Sequence, residues 1–417
     1  MNDILDTLKK RGFVKQSTDE KALEKVLSEK GQVFYVGFDP TADSLHVGSL
    51  VPIMAIAQLQ RHGHFPIAII GGGTTMIGDP SGKTELRRMM TLEEISANGE
   101  KILTQLKRYA VLDGKQGLFL NNADWLLNLN YIDFLRDIGR HFKVNEMIRS
   151  EAYKLRLERQ EGLSFIEFNY QILQAYDFLV LFQKYNCTIQ MGGDDQWGNI
   201  LAGNDLVRKV TGHSVHALTF PLLTTATGGK MGKTESGTIW LDGEKTSPYE
   251  FYQYWINTDD RDVVSFLKFF TFLPLEEVNE LGKLEGADLR KAKEVLAFEV
   301  TFLAHGEEEA NKAKDASRAA FGETSEGMAS MPTASIAREK FVKGITLADL
   351  FVETGLVSTK SEAHRLAEQG GAYVQGQKVI SGKTLITEEM FRKNELLLSA
   401  GKKKRIRVLA SWEGAEP

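Results

Sequence analysis

Short strand-like runs alternate with longer helix-like segments through the first half of this 417-residue chain. The strand-like runs are VFYVGF from residue 33, PIAIIGGG from 66, GLFLNNADW from 117 and TIQMGGDDQW from 188. Strands that alternate with helices pair in parallel, because each crossover helix returns the chain to the same edge of the sheet. The pattern therefore predicts a parallel α/β sheet, a fold that binds ligands at the carboxyl ends of its strands.

The second half is organised differently. From about residue 246, the segments SPYEFYQYWIN, VVSFLKFFTFL and LRKAKEVLAFEVTFLAH predict helices. Residues 322–341 are rich in Gly, Ser, Thr and Ala and have no clear apolar period, which predicts a linker. The helix-like TKSEAHRLAEQ and the strand-like AYVQGQKV and RIRVLA then indicate a small α+β module. We therefore predict an α/β domain at 1–235, a mostly helical domain at 236–321, the linker, and the module at 342–417.

Composition limits the functional classes that fit this chain. Hydrophobic residues make up 42% and charged residues 26%, which is typical of a folded globular protein. The single cysteine, Cys187, cannot form an intramolecular disulfide, and no run of about 20 apolar residues is present to span a bilayer. These features predict a cytoplasmic protein. The net charge of -5 argues against indiscriminate nucleic-acid binding, but GKKKRIRV near the C-terminus is either a solvated basic run or a local RNA contact.

The segment GDPSGKT has the composition of a phosphate-binding loop but not its spacing. That motif requires a glycine five residues before the Gly of Gly-Lys-Thr, and Ile77 occupies this position. A phosphate-loop nucleotidase is therefore disfavoured, although Lys83 can meet a phosphate by another route.

Two further segments suit a nucleoside triphosphate. In DPTADSLHVGSL, Thr41 and His46 can donate hydrogen bonds at a strand end, and Pro52 predicts that residues 46–49 form a loosened first helical turn. In GGKMGKTESG, lysines on a glycine-hinged loop can close over phosphates. Each segment alone also fits a structural histidine or a surface loop.

Together these segments resemble the class I aminoacyl-tRNA synthetases, whose signatures are His-Ile-Gly-His and Lys-Met-Ser-Lys-Ser. Here the signatures correspond to His46-Val47-Gly48-Ser49 and Lys230-Met231-Gly232-Lys233-Thr234, with Ser49 in place of the second histidine. Within that class the chain is similar to the bacterial-type tyrosyl enzymes through YVGFDPTADSLHVG, GGGTTMIGDPSGK, FNYQILQAYDF and GGDDQWGNI. Its C-terminal part resembles the S-four-type RNA-binding domain. The resemblance implies a Rossmann-like catalytic domain and a homodimer held by an insertion at about 125–160.

The resemblance also implies an activity, in which ATP activates tyrosine as an adenylate and the tyrosyl group is then transferred to tRNA(Tyr). The residues that it places against tyrosine are Tyr35, Asp79, Tyr170, Gln174, Asp177 and Gln196. Around the phosphates it places Thr41, His46, Lys83, Arg87, Lys230, Lys233 and Thr234. Against the adenosine and its ribose it places Gly37, Asp39, Gly193 and Asp195. Gly48 and Ser49 are further ATP-binding residues, with Ser49 a donor to a ribose or a phosphate.

The residue pattern supports this pocket independently, because Tyr170, Gln174 and Asp177 are spaced four and three apart and so share one helix face. A polar rim on an amphipathic helix is the alternative. ATP is expected as its Mg²⁺ complex, and no protein-bound metal is expected, since no His/Cys cluster has zinc-ligand spacing. RNA contacts are predicted at Lys403, Lys404 and Arg405. The remaining rival is a catalytically silent RNA-binding regulator with the same fold.

Overall fold

The computed structural model describes residues 4–80, 90–160, 162–229, 231–234, 237–320, 332–391, 395–401 and 404–411. The chain separates into two compact units, one formed by residues 1–246 and 259–292 and the other by residues 247–258 and 293–417. The boundaries that we predict at 235, 321 and 341 divide the chain differently and stay a prediction.

The secondary-structure elements of the described residues are as follows. The helices in chain order are α1 (Ile4–Arg11), α2 (Glu20–Ser28), α3 (Leu50–Arg61), α4 (Gly72–Ile77), α5 (Leu92–Leu106), α6 (Ala123–Leu126), α7 (Tyr131–Asp137), α8 (Val144–Met147), α9 (Glu151–Glu158), α10 (Phe165–Tyr185), α11 (Trp197–Thr211), α12 (Pro248–Ile256), α13 (Val263–Phe270), α14 (Leu275–Leu281), α15 (Leu289–His305), α16 (Glu307–Ala320), α17 (Arg338–Lys343), α18 (Leu347–Glu353) and α19 (Lys360–Glu368). The strands are β1 (Gln16–Ser17), β2 (Val33–Phe38), β3 (Phe65–Ile70), β4 (Leu118–Asn121), β5 (Cys187–Gly193), β6 (His216–Phe220), β7 (Lys233–Thr234), β8 (Gly237–Thr238), β9 (Thr333–Ala337), β10 (Ile345–Thr346), β11 (Ala372–Val374), β12 (Gln377–Val379), β13 (Leu385–Ile386), β14 (Glu395–Ala400) and β15 (Lys404–Ser411).

The first unit is built on a six-stranded sheet with the order β1-β6-β5-β2-β3-β4. The four predicted strands are confirmed as β2, β3, β4 and β5, and their neighbours among β2 to β6 pair in parallel. Sequence reasoning missed β6 and the short β1, which joins β6 as an antiparallel edge strand. The strand order reverses between β2 and β5, and such a switch point opens a ligand crevice at the carboxyl ends.

Helix α10 is the main support of this sheet. It begins with a capping box, in which Ser164 and Glu167 exchange side-chain and main-chain hydrogen bonds, and it ends at Asn186 in the left-handed conformation. Its inner face buries Phe178 and Leu181 completely against the same core as Ile67 of β3. A helix fixed at both ends and along its inner face holds its polar side chains in defined positions.

The second unit contains a five-stranded sheet with the order β12-β11-β14-β15-β9. The predicted helix and strands of the C-terminal module are confirmed as α19, β11, β12 and β15, and the predicted helical segments as α12, α13 and α15. Part of the predicted linker lies outside the described residues, but residues 333–341 are folded as β9 and the start of α17. The sequence of β9 shows no apolar period. The strand forms because its main chain pairs in parallel with β15.

No helix in the described part of the chain is both long and apolar enough to cross a membrane.

A buried arginine joins the N-terminal helix to α13. The guanidinium of Arg11 is 5% exposed and donates hydrogen bonds to the carbonyl oxygens of Lys268, Thr271 and Leu273, near the end of that helix. These contacts satisfy carbonyl groups that have no partner within the helix. Hydrogen bonds to a charged group each contribute roughly 1.5–3 kcal/mol.

We therefore expect Arg11→Ala to destabilise the first unit by at least about 3 kcal/mol, because one buried and two partly buried carbonyl groups lose their donor. Urea unfolding followed by tryptophan fluorescence measures the change in midpoint. Lys10→Ala is the matched control, since Lys10 is exposed and pairs with Asp6 on its own helix. An equal midpoint for Arg11→Ala and Lys10→Ala would contradict the role of Arg11.

Candidate active site

The segment after β2 enters α3 through a distorted turn, as we predict from Pro52. Residues Val47–Ser49 form a 3-10 turn, and α3 begins only at Leu50. Pro52 then falls in the first turn of α3, where a missing main-chain N–H costs no helical hydrogen bond. The turn carries His46 and Gly48 at the carboxyl end of the sheet.

The hydrogen bonding of His46 fixes which ring nitrogen carries a proton. The main-chain N–H of Gly48 donates to Nδ1 of His46 at 3.0 Å. Because Nδ1 is an acceptor here, the neutral imidazole carries its proton on Nε2. The side chain is exposed and its ring packs edge-on against Trp240, with centroids 6.3 Å apart. His46 can therefore act as a hydrogen-bond donor through Nε2.

The two signature segments lie directly against each other. The N–H of Val47 donates to the carbonyl of Ile239 at 3.0 Å, and the N–H of Ile239 donates to the carbonyl of Gly232 at 2.9 Å. Gly232 has a φ of +78°, and a Cβ there would lie 3.2 Å from Cβ of Val47. Only glycine fits both this backbone conformation and this contact. The main chain therefore couples the predicted phosphate-binding segments.

Several predicted phosphate-binding residues are only partly described. Lys83, Arg87 and Lys230 lie outside the described residues. The main chain of Lys233 and Thr234 forms β7, which pairs with β8 in a two-stranded hairpin. Thr41 is exposed at the end of β2, near His46 in the sequence.

A chain of hydrogen bonds crosses the floor of the crevice. Oδ1 of Asp39 accepts from Thr74 at 2.9 Å, and Oδ2 of Asp39 accepts from the hydroxyl of Tyr170 at 3.0 Å. The amide of Asn122 donates to Thr74 at 3.1 Å and to Oδ2 of Asp177 at 3.0 Å. The network thus links Asp39 after β2 with Asp177 on α10, so that two predicted subsites share one set of bonds.

Asp177 is the most perturbed carboxyl group of the crevice. It is 4% exposed, and its other oxygen accepts from the indole N–H of Trp125 at 2.7 Å. Burial raises the pKa of Asp177 to about 7, against the opposing effect of Asn122 and Trp125. Burial makes the charged form of this carboxyl group costly, and a hydrogen bond donated by a ligand hydroxyl would stabilise that form.

Tyr35 lies on β2 beside Asp177 and carries a hydroxyl that is not satisfied internally. The hydroxyl is buried and has no hydrogen-bond partner among the described residues, as is also true of Oε1 of Gln174 on α10. Burial raises the pKa of Tyr35 well above its usual value, and the charge of Asp177 adds to this effect. A buried polar atom without a partner is costly, and a polar ligand in the crevice would satisfy these two atoms.

The carboxyl end of β5 contributes a third group of side chains. The amide of Gln196 donates to Oδ2 of Asp79 at 2.6 Å. Burial, followed by the charge of Asp79, raises the pKa of Asp195. A Cβ at Gly193 would lie 2.4 Å from Oδ1 of Asp195, so the glycine allows this carboxylate to fold over the strand end.

The structure brings most of the predicted residues together at one end of the sheet. Tyr170, Gln174 and Asp177 share α10, and Gly37 lies on β2. Sequence reasoning missed several partners that hold these side chains in place, namely Thr74, Asn122, Trp125 and Trp240. The first three follow the carboxyl ends of β3 and β4. Their position after a strand is the sequence signal that could have identified them.

The basic run near the C-terminus is divided between two environments. Lys403 lies outside the described residues, and Lys404 is exposed at the start of β15. Arg405 is half-buried beside Tyr249 of α12, and burial lowers the pKa of its guanidinium. Among the residues described, no group of three His, Cys, Asp or Glu side chains is arranged to hold a metal ion.

Comparison with known proteins identifies a family. Residues 28–322 match the family model described as tRNA synthetases class I (W and Y). The chain is 53% identical to the tyrosine–tRNA ligase of Syntrophus aciditrophicus over 97% of its length and 98% of that protein. It is 52% identical to the tyrosine–tRNA ligase of Clostridium botulinum over 98% of its length and 100% of that protein. The structure of a C-terminally truncated Aspergillus nidulans mitochondrial tyrosyl-tRNA synthetase superposes with a TM-score of 0.69 at 31% identity, covering 76% of this chain and 94% of that one.

The raised pKa of Asp177 predicts a characteristic pH dependence of stability. The folded state binds a proton at Asp177 up to about pH 7, whereas the unfolded state releases it near 3.8, so this group lowers the free energy of unfolding as pH rises between these values. From pH 5 to pH 8 the loss is about 3 kcal/mol. Asp177→Asn removes this pH-dependent loss of stability, because asparagine does not titrate.

We expect the stability of Asp177→Asn relative to the unaltered chain to rise by about 3 kcal/mol between pH 5 and pH 8. Urea unfolding of both proteins at the two pH values measures this difference, from which other titrating groups cancel. Parallel pH profiles would show that Asp177 does not titrate in this range.

Proposed function

The chain belongs to the class I tRNA synthetases that serve tryptophan and tyrosine, and on that premise we propose that it attaches L-tyrosine to tRNA(Tyr) in two steps. Tyrosine and ATP form tyrosyl-adenylate with release of pyrophosphate, and the tyrosyl group then passes to the tRNA with release of AMP. The observation that carries the choice of amino acid is the buried pair formed by Tyr35 and Asp177.

This pair is suited to a phenolic hydroxyl. We propose that Tyr35 and Asp177 hydrogen-bond the phenol of the substrate, which would give the unpartnered hydroxyl of Tyr35 its partner. A phenylalanine ring in the same place would leave both buried groups unsatisfied. Sites built in this way reject the analogue that lacks the hydroxyl by about 10⁵, a value known from the tyrosyl-tRNA synthetases themselves.

The other polar groups of the crevice fit the remaining parts of the two substrates. We assign Asp79, Tyr170 and Gln174 to the ammonium group of tyrosine, and Gln196 to its carboxylate. The adenosine and its ribose are assigned to Gly37, Asp39, Gly193 and Asp195, and Gly48 and Ser49 are assigned to ATP as well. The raised pKa of Tyr170, caused by burial, keeps its hydroxyl protonated as the donor to Asp39.

Catalysis of the first step depends on position and charge. The carboxylate of tyrosine is already ionised, so its attack on the α-phosphorus of ATP needs no general base. His46 presents the donor Nε2–H, and we assign Thr41, Lys83, Arg87, Lys230, Lys233 and Thr234 to the same phosphates. These donors would stabilise the charge that develops on the leaving pyrophosphate. Mg²⁺ enters as part of the ATP substrate.

The second step requires the acceptor tRNA. A hydroxyl of its terminal ribose attacks the carbonyl carbon of the adenylate, and AMP leaves. We propose that the C-terminal module contacts the tRNA through Lys403, Lys404 and Arg405, of which Lys404 is the exposed member described. Since tyrosine, ATP and the tRNA are cytosolic, we also place the enzyme in the cytoplasm.

An exposed apolar surface supports a homodimer. Large hydrophobic side chains stand in solvent along α6 to α9 and the start of α10, within or next to the predicted insertion at 125–160. The most exposed of them are Tyr131, Ile132, Val144, Leu157 and Phe165. A second copy of the chain is the proposed occupant, because clusters of this kind mark protein interfaces and a symmetric contact uses the same surface twice.

The specificity pair gives a direct test of the function. Tyr35→Phe removes one buried hydroxyl and keeps the ring that packs against Phe178. We expect kcat/KM for tyrosine to fall about tenfold while that for phenylalanine changes little, because only tyrosine uses the hydroxyl. Exchange of labelled pyrophosphate into ATP, measured with tyrosine, phenylalanine and tryptophan in parallel, gives both values.

Tyr109→Phe is the matched control, since the hydroxyl of Tyr109 is also buried without a partner among the described residues. Tyr109 follows α5 and has no role in the proposed site. Equal losses with tyrosine and phenylalanine, or a preference for tryptophan, would overturn the assignment of Tyr35.

The dimer is tested by placing a charge on its proposed interface. Phe165 is 70% exposed and is the first residue of α10, a position where aspartate favours the helix. We expect Phe165→Asp to shift the protein from dimer to monomer at micromolar concentration, measured by light scattering. Val342→Asp, at an equally exposed site on α17, should remain dimeric. A monomer before substitution would contradict the dimer itself.

A further inference from the structure

The turn that carries Asp195 and Gln196 is anchored by a residue just before them. This 3-10 turn spans Asp194–Gln196 and joins β5 to α11. Its first residue, Asp194, has none of the roles assigned above and is bound by two side chains from other parts of the chain. The amide of Gln16 donates to Oδ1 of Asp194 at 2.6 Å, and the hydroxyl of Thr219 donates to the same oxygen at 2.9 Å.

The register of the sheet explains how these residues meet. Gln16 on β1 lies opposite Thr219 on β6, and Thr219 lies opposite Gly192 on β5. The three positions form a row across adjacent strands, and Asp194 follows two residues after Gly192. Because directly paired residues present their side chains on the same face, Gln16 and Thr219 both reach the end of β5.

This anchor has electrostatic consequences for the turn. Asp194 and Asp195 are adjacent carboxylates, and Asp79 lies near enough to raise the pKa of Asp195 and to bind Gln196. Like charges repel, so a turn that holds them needs donors that fix at least one carboxylate. Hydrogen bonds to a charged acceptor are among the stronger ones in proteins. Gln16 and Thr219 supply them from outside the crevice.

We propose that Asp194, Gln16 and Thr219 are positioning residues for nucleotide binding, which hold the turn so that Asp195 faces the ribose of ATP. The inference rests on the proposed function, since it assigns the ribose to Asp195. It gives the short edge strand β1 a role in substrate recognition, because β1 brings Gln16 to the turn. The effect on the nucleotide passes through Asp195, and none of the three anchoring residues needs to touch it.

The test compares variants in their preference for ATP over 2′-deoxy-ATP and 3′-deoxy-ATP. Asp194→Ala removes the shared acceptor, and we expect kcat/KM for ATP to fall at least tenfold in pyrophosphate exchange. The two deoxy analogues should lose less, so the preference for ATP shrinks. In Gln16→Ala we expect kcat/KM for ATP to fall only a few-fold, again with a smaller loss for the analogues, since Thr219 still binds Asp194. Asp194→Asn keeps Oδ1 as an acceptor and should restore most of the preference.

Gln60→Ala is the matched control, because Gln60 also joins distant segments, through the carbonyls of Val111 and Gln116, but lies at the other end of the sheet. It should leave the preference unchanged. Equal losses with ATP and both analogues in Asp194→Ala, or an Asp194→Asn that behaves like Asp194→Ala, would overturn the proposal.

Calorimetric binding of ATP and its deoxy analogues separates this inference from the proposed function. A chain without tyrosine-dependent exchange would refute the function, while a ribose preference in binding that Asp194→Ala weakens would still support the anchor. Binding without any such preference, or no binding of ATP, would overturn the anchor.

Discussion

The buried carboxyl group of Asp177 is the constraint around which the crevice is organised. Removing a carboxylate from water costs several kcal/mol unless donors compensate, and here Asn122 and Trp125 after β4 offset part of that cost. Asn122 also binds Thr74, and through Thr74 the requirement extends to Asp39. The ends of β2, β3 and β4 must therefore keep their register with α10, or several buried polar groups lose their partners together.

Close packing of main chain against side chain makes this arrangement possible. A Cβ at Gly71 would lie 1.9 Å from Oδ1 of Asp39, and one at Gly72 would lie 2.1 Å from Oδ1 of Asn121. Neither distance is compatible with a side chain, so the glycine run after β3 is a consequence of polar groups that press on its backbone. The glycines after β3 thus leave room for a hydrogen-bond network at the strand ends.

Local features of the sequence predict much of the fold and part of the site. Strands β2 to β5 have clear apolar runs, Pro52 predicts the distorted turn before α3, and a spacing of four and three predicts the shared helix face of Tyr170, Gln174 and Asp177. Strands β1 and β9 cannot be predicted in this way, because neither has an apolar period of its own. Each is determined by pairing with a strand that is distant in the sequence. Partners such as Asn122 and Gln16 escape prediction for a related reason. A single sequence shows where strands end. It does not show the strand order, which determines the ends that lie side by side.

The rate of a reaction that uses no general base depends strongly on how precisely the protein holds the reacting groups. When the nucleophile is already ionised, the barrier is lowered by holding two reactants in line and by placing donors where charge develops. An error of about 1 Å in a donor can cost roughly 10²-fold in rate. The main-chain bonds between Val47, Ile239 and Gly232 limit such errors in the segments proposed to bind the phosphates, and the Asp39 to Asp177 network limits them in the proposed ribose and tyrosine subsites. The hydrogen bonds around the crevice therefore contribute to catalysis, because the reaction depends mainly on the position of the reactants and on charge stabilisation.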